Sequence, residues 1–151
     1  MNDKLIHWDE ETRIATVTLI ENDKKFIGQA KCNEIDADMC SEKTGVEIAM
    51  QRAVIEYLRH VRDNELAPAL RAYNQLYYSM NRSAHYSRES YEATMLYRAI
   101  KRYTSDLEAI KDEIKERRMA LKEYINRKEE FYNKVRQVRK KAALLNTDKT
   151  E

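Results

Sequence analysis

The chain has 151 residues, enough for one domain with a real core plus an extension and too few for two independent catalytic domains. Charged side chains make up 36 % of it yet nearly cancel, to a formal +2, so no global field commits it to nucleic acid or a membrane surface and any anion site has to be local. Two glycines and one proline disfavour β-sandwiches and glycine-rich phosphate loops and favour long helices, and no apolar run approaches the roughly twenty residues of a membrane span.

In chain order, residues 5–8 are a short apolar stretch, Asp9-Glu10-Glu11-Thr12 is a polar turn, and 13–20 reads as a strand. Ala15, Val17 and Leu19 face one way there, and Thr16 and Thr18 the other. Glu21-Asn22-Asp23-Lys24 turns the chain into a strand over 25–32, which completes a three-stranded antiparallel meander. Gly28 and Ala30 are small and share the side of Phe26, so a helix is expected to approach that face closely.

Cys32 and Cys40 are the only cysteines, with no signal-peptide pattern ahead of them, which predicts reduced thiols in a cytoplasmic protein. His7, His60 and His85 are scattered rather than set at ligand spacing, so neither a metal nor another cofactor is expected. Asp36 and Asp38, between the cysteines, fit an acidic loop ahead of a helix better than a metal loop.

Thr44 and Glu47 have the spacing of a capping box, and Ile48, Ala49, Ala53, Val54, Tyr57, Leu58 and Val61 follow at helical period. A second helix is expected over 65–80, with Pro68 in a first turn whose N–H groups lack intrahelical acceptors, and with Ala69, Leu70, Tyr73, Leu76, Tyr77 and Met80 along its apolar side. A polar connector over 81–86 leads to Ser87 or Ser90 as caps for the last helix.

That helix is an uninterrupted pattern over 93–145. Ala93, Ile100, Leu107, Ile114, Leu121, Val135 and Ala142 alternate at heptad spacing with Leu96, Tyr103, Ile110, Tyr124, Phe131, Val138 and Leu145, and only Arg117 and Lys128 break the seam. At about 1.5 Å per residue it would run on the order of 80 Å, more than a small domain buries. Its stripe therefore requires a second copy of the chain or a helix folded back within it. The expected fold is α+β: a ββα module over 1–64 whose three-stranded antiparallel sheet is packed by a helix, a second helix and connector over 65–86, and a helical oligomerisation arm with a coiled-coil-like seam over 87–151.

For chemistry, Arg98 and Arg102 stand four apart on one helix face, off the seam, where two guanidiniums can hold phosphates bidentately. Arg82, His85, Arg88 and Lys101 surround them, with Tyr77, Tyr78, Tyr86, Tyr91 and Tyr97 offering rings on which a purine can stack. A solvated helix surface with tyrosines in core or oligomer contacts accounts for the same residues without a ligand. No Ser/His/Asp order, phosphate-binding loop or HExxH pattern occurs, so no enzyme is expected. Arg117-Arg118, Arg127-Lys128 and the basic run 136–141 keep a nucleic-acid partner open, although Glu113, Glu116, Glu123, Glu129 and Glu130 dilute that field.

The run Phe26-Ile27-Gly28-Gln29-Ala30-Lys31-Cys32, then Asp36 and Asp38, Gly45-Val46-Glu47-Ile48-Ala49 and Arg52-Ala53, resembles a ββα module common in small bacteriophage proteins and spans about a third of the chain. Followed by long helices, the layout is similar to the phage Thoeris anti-defence sponges. The resemblance implies a non-enzymatic homo-oligomer, a hexamer, in the host bacterial cytoplasm. It implies sequestration of immune signalling nucleotides, namely cyclic ADP-ribose isomers and in some members cyclic oligonucleotides. It further implies ligand contacts from a polar connector residue and two arginines one turn apart, here Asn81, Arg98 and Arg102, with Tyr73 as the nearest candidate for the accompanying aromatic. Two readings from other classes stand beside it: an RNA- or DNA-binding ββα module with a dimerising helix, and a structural phage component.

Overall fold

Three strands alternate inward apolar and outward polar residues, and their register is what builds the first face of the core. In the computed structural model, which describes residues 3–82 and 91–147, β1 (Asp3–Asp9), β2 (Ile14–Glu21) and β3 (Lys24–Lys31) form one antiparallel sheet in that order. Leu19 pairs with Phe26, Val17 with Gly28 and Ala15 with Ala30, so all six lie on one face, and all six are buried. Asn22 and Asp23 connect β2 to β3 with φ of 50° and 62°, the two left-handed residues of a type I′ hairpin turn. At the β1–β2 turn the Asp9 carboxylate accepts from the N–H groups of Glu11 (2.9 Å) and Thr12 (3.1 Å), and Arg13 closes the turn with φ 53°.

Helix α1 (Glu42–His60) covers this face at a distance only glycine permits. A Cβ on Gly28 would lie 1.9 Å from the Ala49 carbonyl oxygen and 2.5 Å from the Ala53 nitrogen, so the helix backbone rests directly on the strand. Ala49 and Ala53 are fully buried there. Arg52 reaches past the sheet edge and donates to the Gln29 carbonyl, an acceptor that an edge strand leaves unpaired. The expected capping box at Thr44 and Glu47 does not form. The helix starts two residues before Thr44, Ser41 Oγ accepts from the Thr44 N–H (3.1 Å), and Glu47 instead accepts from the Tyr124 hydroxyl.

No loop separates the first two helices. A π-helical segment, Val61–Leu66, joins α1 directly to α2 (Ala67–Arg82), and the Ala67 N–H donates to the Arg62 carbonyl five residues back. Pro68 explains the widened turn: it has no N–H, and its ring crowds the carbonyl four residues earlier. The expected gap before 65 therefore becomes a bulge inside continuous helix. Helix α3 (Tyr91–Thr147) then runs unbroken for 57 residues. Ser87 and Ser90, proposed as its caps, lie outside the described residues, as do His85, Tyr86 and Arg88.

The chain forms two compact units, Met1–Val54 with Arg118–Glu151, and Ile55–Arg117. Within the second, α2 runs antiparallel to the start of α3: Tyr73 stacks on Tyr103 with centroids 5.3 Å apart, and Tyr77 meets Tyr97 at 6.3 Å. Ile55, Leu58, Ala93 and Ile114 are its buried residues among those described. Within the first, the distal part of α3 meets the start of α1 through Tyr124 and Glu47, and the 3-10 turn Glu34–Asp36 through Arg136 and Asp36.

The apolar stripe of α3 is thus partly covered by its own chain. A straight helix of 3.6 residues per turn rotates successive heptad positions by about 20°, so a fixed partner cannot follow a 3.5 repeat indefinitely. Here Leu121, Tyr124, Ile125, Lys128, Tyr132, Val135 and Arg136 face inward, while Phe131, Val138 and Leu145 roll out to solvent. The two seam-breaking residues find local partners: Arg117 pairs with Glu113 at 2.9 Å, and the Lys128 ammonium stands 5.4 Å from the centre of the Tyr124 ring.

Cys32 and Cys40 form a disulfide, with Cα atoms 6.2 Å apart, which corrects the expectation of two free thiols. The 3-10 turn reverses the chain after β3 and returns Cys40 to the strand end, within the separation a disulfide spans. Among the described residues no helix is long and apolar enough to cross a membrane.

Candidate functional site

Arg98 and Arg102 project from the first third of α3, both exposed, one helical turn apart. Like charges at this spacing destabilise a helix slightly unless something neutralises them. Among the described residues neither guanidinium meets a carboxylate, whereas Arg117, Arg136 and Arg139 on the same helix pair with Glu113, Asp36 and Asp38. Two further cations of this unit rest on rings: Lys101, next to Arg102 in sequence, lies 5.1 Å from the centre of Tyr97, and Arg82, at the end of α2, 4.4 Å from that of Tyr78. The outcome is a basic, aromatic-edged helix surface. Asn81 is exposed near the end of α2, the helix end that the antiparallel pairing brings toward the start of α3. Tyr73 is half-buried with one ring face against Tyr103, so that face is not open to a ligand. The described residues place Asn81 and the two arginines on one helical hairpin.

A second constellation comes together only in the folded chain. In the unit that carries the sheet, a cavity of about 280 Å³ lies between the end of β3, the first turn of α1 and the distal part of α3. Trp8, Ile48, Ile125 and Tyr132 give it apolar walls, and Arg13, Lys31, Lys128 and Arg136 line it with positive charge. Asp36, only 4 % exposed, is its buried acid. Its Oδ1 lies 3.2 Å from Arg136 Nε, yet neither atom achieves hydrogen-bond geometry, and the remaining contact, Arg136 Nη2 to Oδ2, is long at 3.4 Å. The ion pair holds charge against charge while leaving directional capacity unfilled.

The neighbouring groups titrate accordingly. Burial, with the Asp36 carboxylate adding to it, pushes the Tyr132 phenol up, and burial with the Glu47 contact does the same to Tyr124. Asp38, hydrogen-bonded at 2.6 Å to Arg139, is held below the usual carboxylate value. Among the described residues no group of three or more His, Cys, Asp or Glu side chains could hold a metal ion. Compared with known proteins, the chain matches no family model, no curated protein and no solved structure.

The cavity draws on residues from the β1 end, the β1–β2 turn, the β3 end, the following loop, α1 and α3. No local spacing signals such convergence. One sequence signal did exist: Lys128 at a seam position, a cation where the heptad calls for an apolar side chain, and it proves to line the cavity.

Proposed function

We propose that this protein sequesters signalling nucleotides without cleaving them, as a homo-oligomer in the host cytoplasm, in the manner of the phage Thoeris anti-defence sponges it resembles. Cyclic ADP-ribose isomers are the first ligand class and cyclic oligonucleotides the second. The observation that supports this reading is the pair Arg98 and Arg102, exposed, one turn apart and, among the described residues, without carboxylate partners, on a helix whose other arginines include several that have them. Two exposed guanidiniums on a helix that also carries Tyr97 and Tyr103 supply groups a phosphorylated purine needs, namely charge-assisted donors and stacking surface. The uncovered residues Phe131, Val138 and Leu145 support self-association.

The experiment is calorimetry of the full chain with cyclic ADP-ribose isomers and cyclic oligonucleotides, followed by heating and chromatography of the released ligand. Unchanged ligand is expected. Replacing Arg98 and Arg102 together by Ala removes charge-assisted hydrogen bonds worth roughly 1.5 to 3 kcal/mol each, a loss of about two to four orders of magnitude in affinity. Asn81→Ala should cost less, because its hydrogen bonds are neutral. Unchanged affinity in the double variant, or turnover of the ligand, overturns the reading. Steeply salt-dependent binding to duplexes in place of small nucleotides would favour the nucleic-acid reading instead.

A further inference from the structure

We propose that the cavity lined by Trp8, Asp36 and Lys128 is a second binding site, for a purine nucleoside monophosphate with a terminal phosphate monoester. Its size sets the class. At about 280 Å³ it falls at the lower edge of small-molecule pockets, roughly 300–1,000 Å³, which suits one nucleotide and is too small for a cyclic oligonucleotide.

Charge selects the anion. Arg13, Lys31 and Lys128 line the cavity, and among the described residues none of them is ion-paired with a carboxylate. Arg136 is engaged by Asp36, and Glu129 is the other acid in the lining. Ser41 and Thr44, at the first turn of the 19-residue α1, also face the cavity, so the positive end of a full-length helix adds to the three cations. A monoester dianion gains more from such a field than the singly charged diester of a cyclic nucleotide.

The base follows from the remaining walls. Trp8 and Tyr132 supply aromatic walls and Ile48 and Ile125 aliphatic ones, the surroundings a purine ring takes. Asp36 is held by Arg136 and its Oδ1 is sealed from the cavity space, so this carboxylate positions Arg136 and does not read the base. The base is recognised by the aromatic walls rather than by its edge, and GMP serves as the purine monophosphate probe.

Calorimetry of the full chain with GMP, guanosine and inorganic phosphate tests this. GMP should bind, and guanosine and phosphate should each bind at least about tenfold more weakly, since each lacks one half of the recognition. Lys128→Ala with Arg13→Ala should weaken GMP about ten- to a hundredfold while circular dichroism stays unchanged. The Arg98→Ala and Arg102→Ala double variant should bind GMP as the parent does. This site and the cyclic-nucleotide face therefore stand or fall separately. No heat with GMP at millimolar concentration, equal affinity for guanosine and GMP, or loss of GMP only in the Arg98 and Arg102 variant would overturn the proposal.

Discussion

Gly28 is the residue on which the sheet-to-helix contact depends, because the atoms a methyl group would meet belong to the α1 backbone and cannot rotate away. Gly28→Ala should lower the unfolding free energy by about 1 to 3 kcal/mol, the range for overpacking a close contact, as read by urea denaturation. A change within about 0.5 kcal/mol would mean the helix lifts freely off the strand. Individual carboxylates contribute to the acid dependence. The Thr12 backbone N–H, with further help from the Thr12 hydroxyl, holds Asp9 below its usual 3.8, and Arg139 does the same for Asp38. Their folded-state pKa values are depressed, so the stability they contribute is present above the ordinary carboxylate value and is lost as pH falls through the lowered ones. The urea midpoint should hold down to about pH 4 and then drop, and Asp9→Asn with Asp38→Asn should flatten that drop. At the alkaline end the sign reverses. Tyr124 and Tyr132 have raised pKa values, contribute below the ordinary tyrosine value of 10.0, and lose that contribution as pH rises through their own. In an absorbance titration these two should ionise after the exposed tyrosines.

At the level of elements, Pro68 sits inside continuous helix, two residues after the π-helical segment ends. Pro68→Ala restores an N–H donor and removes the ring clash, so it should raise stability by about 1 to 3 kcal/mol. A fall in melting temperature would show that the widened turn is required for packing rather than imposed by the proline. The strands, the covered face and the small residues beneath α1 were legible because they rest on alternation and side-chain size, both local properties of 14–31. The cap was misplaced because Thr44 and Glu47 keep the right spacing inside a helix that had already started at Glu42. The α3 seam was legible as a stripe but not in its outcome: a heptad count does not reveal that a straight helix rotates Phe131 and Val138 away from the surface that covers Tyr124. Arg98 and Arg102 could be placed on an outer face from spacing alone, and the structure exposes both. The cavity could not, since Arg13, Asp36 and Lys128 become neighbours of one space only through tertiary folding.

For the whole molecule the decisive quantity is the apolar surface left on distal α3. Phe131 is 56 % exposed, Val138 65 % and Leu145 65 %, and they recur every seven residues along one line. A heptad line of this kind is the seam one helix offers to another, and leaving it in water costs about 25 cal/mol for each Å² of apolar area that association would bury. The protein should therefore associate through this line, whereas Leu107 and Leu121 are already half-buried within a single chain. The two groups of residues predict different failures. Phe131→Glu with Val138→Glu should release a species of the 18.0 kDa chain mass while the helical signal remains, because the carboxylates stay solvated once the copies part. Leu121→Asp should instead lower the melting temperature, because a carboxylate placed in a half-buried position has no partner within the chain. Light scattering over a micromolar concentration series, run alongside thermal melts, separates the two effects. A parent chain that stays at 18.0 kDa throughout the series would show that the exposed line is solvated surface, and with it would go the oligomer on which sequestration of a shared ligand depends.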